Sequence, residues 1–255
     1  MSHFRRLSIR AVGDEAEPLR ARLLELVPAG LEEVVDGDAV ELAAYVPVAQ
    51  VDALVAAFPG AVVEPVPQGW EDAWRSFHHP VTVGGLWVGP PWEEAPDPGC
   101  AVVIDPGRAF GTGAHPTTQL CVELLATTAA RGSLLDVGCG SGVLAIAGIR
   151  LGFGPVVAVD VDPVAVETTV ANAVTNAVEL DARLIDAESG VLPVAEVAVA
   201  NVLLRPVEAI LGRLDAAEAI TSGYLAGERP AHEGWEHVET VTLDGWAADR
   251  FRSLR

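Results

Sequence analysis

The chain lacks most of what marks a secreted, membrane or nucleic-acid-binding protein. Its 255 residues hold three cysteines, Cys100, Cys121 and Cys139, with no CxxC pair and no metal-ligand spacing. Reduced structural thiols are therefore expected, with no disulfide scaffold and no metal site. No apolar run reaches the ~18 uninterrupted residues of a membrane span, and the opening MSHFRRLSIRAV has no apolar segment behind a basic head. The cytoplasm is the expected location, with no membrane partner. Lysine is absent: all sixteen basic residues are arginine, against 36 acids, for a net charge of -20. Gripping a phosphate backbone needs clustered cations, so direct nucleic acid binding is not expected. A basic protein or a cationic small molecule would instead be steered in.

What is present is apolar: half of the residues, enough at this length for a substantial core. Residues 1–66 alternate as strand (4–12), helix (16–27, with Leu19, Leu23, Leu24 and Val27 on one face), two strands (30–35 and 39–46), helix (48–58) and strand (61–66). An Asp36-Gly37-Asp38 turn joins the middle strands. That order predicts a small ferredoxin-like α+β domain. It carries scattered acids and one histidine, His3, and no catalytic constellation, so it reads as a substrate-recognition module. Residues 67–98 read as a proline-rich linker with Trp70, Trp74, Trp87 and Trp92. Those rings need cover, either by packing between domains, the simpler reading, or by closing over a ligand as a lid.

Residues 99–255 alternate apolar strands, glycine-rich loops and helices, which predicts a Rossmann-like, mostly parallel sheet covered on both faces. The last two strands, 237–243 and 249–254, are too closely connected to be parallel. In such a sheet the ligand lies beyond the carboxyl ends of the strands. There the stretch Leu134–Ala147, LLDVGCGSGVLAIA, reads as strand, glycine turn and helix. A dinucleotide calls for G-x-G-x-x-G/A, but Gly142 comes one residue early and Val143 stands where the third glycine belongs. The competing cofactor is S-adenosylmethionine. Asp160, ending the second strand of the sheet, suits the ribose diol of either one, whereas Asp136 and the antiparallel closing pair favour the methyl donor. Asp162 is placed to cap the helix opening at Pro163.

FGTGAHPTT (110–118), DVGCGSGVLAIA (136–147), VDVDP (159–163) and VANVLL (199–204), in that order and spacing, resemble the bacterial methyltransferase of the eleventh large-subunit ribosomal protein, the PrmA family. The resemblance covers residues 70–224. It implies a seven-stranded class I S-adenosylmethionine-dependent methyltransferase domain behind the ferredoxin-like one, a basic ribosomal protein as substrate, amines as methyl acceptors, and a monomer. Carried over residue by residue, the donor-binding positions fall on Thr118, Gly138, Gly140, Asp160 and Asn201, and Asn201 is also the catalytic position. Thr118 would hold the donor's carboxylate in the first turn of a helix. Asn201 would accept hydrogen bonds from the incoming amine. Displacement at a sulfonium needs alignment and exclusion of water more than a strong base, which suits the lack of a histidine or cysteine dyad. His115 reads as ordering its loop. The chain departs from the family pattern at Asp215-Ala216-Ala217-Glu218, where a Pro-Gly-Gly turn is usual, and at Arg75, where lysine is common.

Overall fold

The computed structural model describes residues 4–12, 16–27, 31–37, 39–66, 78–105, 111 and 113–255. His3, Asp38, Trp70, Trp74, Arg75, Phe110 and Thr112 lie outside the described residues. The chain divides into two compact units, residues 1–77 and 78–255.

The first unit runs β1 (Phe4–Val12), α1 (Ala16–Leu26), β2 (Glu32–Asp36), β3 (Ala39–Pro47), α2 (Val51–Ala57) and β4 (Val62–Pro65). Its sheet has the order β2-β3-β1-β4 with every neighbour antiparallel, the split βαβ arrangement. Alternation sends Leu7 and Ile9 of β1, and Leu42, Ala44 and Val46 of β3, to one face, where they meet Leu23, Leu54 and Phe58. The opposite face carries Arg6 among Glu32, Glu41 and Glu64.

The second unit begins with a three-stranded sheet, β5 (Val81–Val83), β6 (Leu86–Gly89) and β7 (Ala101–Val103). Residues 78–98, expected as part of a linker, thus belong to the second unit. Strand β7 pairs in parallel with β6 and not with the main sheet. Then come α3 (Pro116–Thr127), β8 (Leu134–Val137), α4 (Val143–Arg150), β9 (Val156–Asp160), α5 (Pro163–Thr175), β10 (Asp181–Leu184), β11 (Ala195–Asn201), α6 (Leu204–Leu211), β12 (Ala216–Leu225), β13 (Trp235–Leu243) and β14 (Trp246–Ser253).

The main sheet has seven strands in the order β10-β9-β8-β11-β12-β14-β13, parallel except for β14, which runs against both neighbours. Helices cover both faces, so the central strands β8, β9 and β11 are mostly apolar, while the edge strands β10 and β13 are largely polar. Leu134, Val197 and Val199 enter the core beneath α3 and α4, while Leu135, Ala198 and Ala200 enter the one beneath α6. Helix starts follow the local chemistry. Pro116 and Pro163 occupy the first helical turn, where a missing N–H costs nothing. Asp162 accepts from the Val164 N–H at 2.8 Å, the expected cap. Helix α6 begins at Leu204 with Pro206 in its first turn.

Candidate functional site

The winding reverses between β8 and β11: the chain moves from β8 outward through β9 and β10, then returns to start β11 on the other side. The crevice beyond the carboxyl ends of these strands is the place for a ligand. Gly138, Asp160 and Asn201 stand at the ends of β8, β9 and β11.

The glycine turn is tied to its neighbours on every side. Gly138 and Cys139 both donate from their backbone N–H to the Val159 carbonyl, at 2.9 and 3.1 Å, and the Gly140 N–H donates to Asp160 Oδ2 at 3.0 Å. The second Asp160 oxygen accepts from the Asp162 N–H at 2.9 Å. Backbone donors thus fix the plane of this half-buried carboxylate at the rim of the crevice and leave its remaining lone pairs to accept from a ligand. Gly138 has φ +74°, and a Cβ there would meet Val202 Cγ1 at 2.5 Å. Gly142 has φ +79°, and a Cβ there would press on Thr169 of α5 at 2.9 to 3.2 Å. Glycine is required at both for conformation and for space.

Two residues the sequence reading missed hold the turn from α5. Thr169 donates from its hydroxyl to the Gly140 carbonyl at 3.1 Å, and Asn172 donates from its amide to the Ser141 carbonyl at 2.8 Å. Both are buried, polar and three apart on one helical face; that spacing in an apolar helix was the available signal. Asn172 also accepts from the Asp105 N–H at 3.3 Å, and the Ser141 hydroxyl donates to the Gly111 carbonyl at 2.5 Å. The turn therefore braces the entry and the middle of the loop before α3.

Asp136 is the buried charge of the site. One oxygen accepts from the Ala145 N–H at 3.0 Å, and Oδ1 is buried with no partner among the described residues. Burial, with a smaller contribution from the charge of Asp160, raises its pKa to about 7. Burial also raises the nearby thiols, Cys139 to about 12 and Cys121 further, so both stay protonated.

Thr118 and Asn201, 83 residues apart in sequence, meet here: Asn201 Nδ2 donates to Thr118 Oγ1 at 3.4 Å. The Thr118 N–H donates to the His115 carbonyl at 3.0 Å. His115 is the N-cap of α3. Its Nδ1 accepts from the Thr117 N–H at 3.4 Å and lies 2.8 Å from the Thr117 hydroxyl, and its ring meets Trp246 edge-on at 4.9 Å. Burial lowers its pKa, which keeps the capping nitrogen an acceptor. The loop-ordering role expected of it matches this geometry.

Residues 37–252 match the family model described as ribosomal protein L11 methyltransferase (PrmA). A ribosomal protein L11 methyltransferase of Marinomonas sp. (strain MWYL1) is 38% identical over 188 residues, which is 68% of this chain and 63% of that protein. One of Azotobacter vinelandii is 41% identical over 195 residues, 70% of this chain and 66% of that protein. One of Dechloromonas aromatica is 45% identical over 146 residues, 56% and 49% respectively. The chain thus spans between about half and two thirds of the length of these relatives. A solved ribosomal protein L11 methylase from Lactobacillus delbrueckii subsp. bulgaricus superposes with a TM-score of 0.60 at 24% identity, over 67% of this chain and 95% of that one. That likeness shows a shared fold, the class I methyltransferase sheet. By its sequence match over residues 37–252, this chain belongs to the ribosomal protein L11 methyltransferase (PrmA) family.

Proposed function

We propose that the chain is an S-adenosylmethionine-dependent N-methyltransferase acting on amines of ribosomal protein L11, lysine side chains or the N-terminal amine, as a cytoplasmic monomer. The residues fit that donor. Gly138, at φ +74°, turns the backbone sharply at the end of β8, so its main chain lies open to the crevice with no side chain of its own. Asp160 offers a fixed carboxylate to a ribose diol, beside the exposed apolar side chain of Val161. The orphaned Oδ1 of Asp136 suits a cationic group such as the donor's ammonium. When bound, S-adenosylmethionine supplies a methyl group on a sulfonium, activated by its neutral thioether leaving group.

The observation that carries the reading is Asn201 at the switch point with its amide N–H engaged by Thr118. The side-chain carbonyl is left as the acceptor, able to take an N–H of a neutral amine and so orient the nitrogen lone pair. Thr118 holds Asn201 in that orientation. No strong base is needed, in keeping with His115 committed to its helix cap. The first unit, with its acidic sheet face, serves as the recognition module for a basic protein. The deciding experiment incubates the chain with labelled donor and ribosomal proteins from a strain lacking the enzyme. Label in L11 alone supports the reading; label in another protein or in a small amine moves the substrate, and no label rejects methyl transfer.

A further inference from the structure

Ser222 is a serine where the core beneath α3 would be served by an apolar side chain. It is fully buried, and its register partners are Asn201 on β11 and Ala248 on β14. Ala248, and Ile220 two residues before Ser222, belong to the apolar cluster there. A buried hydroxyl is costly unless it is hydrogen-bonded. This one donates to the Ala247 carbonyl at 2.7 Å, beside the bulge of β12. Its proton is thus committed, and its oxygen is left to accept from the thiol of Cys121, to which it is hydrogen-bonded and which burial keeps protonated. Cys121 comes three residues after Thr118 in α3, so the two buried side chains share one face of that helix.

Thr118 in turn accepts from Asn201 Nδ2 at 3.4 Å, and the Ser222 carbonyl accepts from the N–H of Val202, the residue after Asn201, at 3.1 Å. The contacts close a ring. It runs from Asn201 to Thr118, along one helical turn to Cys121, across to Ser222, and back to Asn201 through the β11–β12 register. Resting on the proposed methyl transfer, in which Asn201 orients the acceptor amine, we infer that Ser222 is a positioning residue for that reaction. With Cys121 it fixes the start of α3 against the end of β11, and so sets the angle at which Thr118 holds the Asn201 amide. Being fully buried, Ser222 meets neither donor nor acceptor and acts through Asn201.

The test uses the full chain, with donor affinity measured by calorimetry and methyl transfer to L11 measured at steady state. Ser222→Ala opens the ring and keeps the strand pairing. It is expected to lower kcat about fivefold, the worth of one such hydrogen bond, with KM for L11 and donor affinity retained. Cys121→Ala should match it, and Cys121→Ser, which keeps a donor, should recover the loss. In an Asn201→Ala background, Ser222→Ala should cost nothing further, since the group it positions is gone. An equal fold-loss with and without Asn201 overturns the proposal and leaves Ser222 merely structural, and so does an unchanged kcat in Ser222→Ala. Should Ser222→Ala not fold, Cys121→Ala in the same two backgrounds reads the same outcomes. Failure of the parent chain to methylate any amine, or a parent kcat in Asn201→Ala, would instead sink the reading on which the ring rests.

Discussion

The sharpest test of the site's construction is the pair of glycines that flank Val202. Gly223 has φ +105° and sits at the bulge in β12 between Ser222 and Tyr224. A Cβ there would overlap the Val202 carbonyl oxygen and come within 2.6 Å of its carbon and 3.0 Å of its nitrogen. All three are backbone atoms of the turn that carries Asn201 to Leu203. Gly138 faces the same residue from the other side, but its added Cβ would meet only the end of the Val202 side chain. Both substitutions to alanine incur the strain of a positive φ, about 1 to 3 kcal/mol. They differ in the remedy. Val202→Ala removes the atom that Gly138→Ala strikes and none of those that Gly223→Ala strikes. Thermal denaturation should show Gly138→Ala lowered by roughly 2 to 4 °C per kcal/mol, and Gly223→Ala lowered further because the turn itself must move. In double-mutant cycles, the coupling of Val202→Ala to Gly138→Ala should be favourable by about 1 kcal/mol, and its coupling to Gly223→Ala near zero. Donor affinity by calorimetry should follow the same order. Equal rescue of both glycine variants by Val202→Ala would refute the placement of Val202 between the two strand ends.

Other predictions follow from the same geometry. Asp160→Ala should abolish donor binding measured by calorimetry; unchanged affinity would reject the ribose assignment. Asn201→Ala should lower kcat by about tenfold or more with donor affinity less affected, and Thr118→Val should reproduce part of that loss; a larger effect of Thr118→Val on donor affinity than on kcat would make Thr118 a donor ligand. Because burial raises the Asp136 carboxyl from 3.8 to about 7, this group favours the folded state while neutral and loses that contribution as pH rises from about 4 to 7. Asp136→Asn should therefore become more stable relative to the parent across that window, by on the order of 4 kcal/mol, in denaturant titrations at each pH; a pH-independent difference would mean the carboxyl titrates normally. Removing residues 1–77 should spare donor binding and end methylation of L11, and normal methylation by the truncated chain would remove the recognition role from the first unit.

The fold was legible where local chemistry and burial agree. The glycine turn, the Asp162 cap and the apolar strands of a sheet covered on both faces each mark their own position, and the short last connection requires the antiparallel pair β13–β14. Legibility ended where a short segment had two competing partners. Ala101–Val103 is apolar enough for either sheet, and only tertiary pairing with β6 decides between them. Strand β12 begins at Ala216 although its alanines have low β-propensity, because pairing with β11 carries them. Leu203 looks like the end of a strand in sequence, yet the chain has already turned there to cap a helix, since Pro206 is at home in a first helical turn.

The site shows the same division. Residues at strand ends could be located, since Asp160 and Asn201 each follow an apolar run; what their side chains meet could not, because the partners are 20 and 83 residues away in sequence. The spacing of the glycines gains a structural meaning from those partners. Gly142 is glycine because Thr169 of α5 occupies the space beside it, and Gly138 because Val202 of the β11–α6 turn does. The pattern that argued against a dinucleotide therefore records how closely α5 and the Asn201 turn approach the end of β8. Any ligand of this crevice meets a floor whose height is set by Val202 and a rim set by Asp160. Displacing either by substitution at a glycine should reach the acceptor side of the crevice as well as the donor side, since Val202 directly follows Asn201 in the chain.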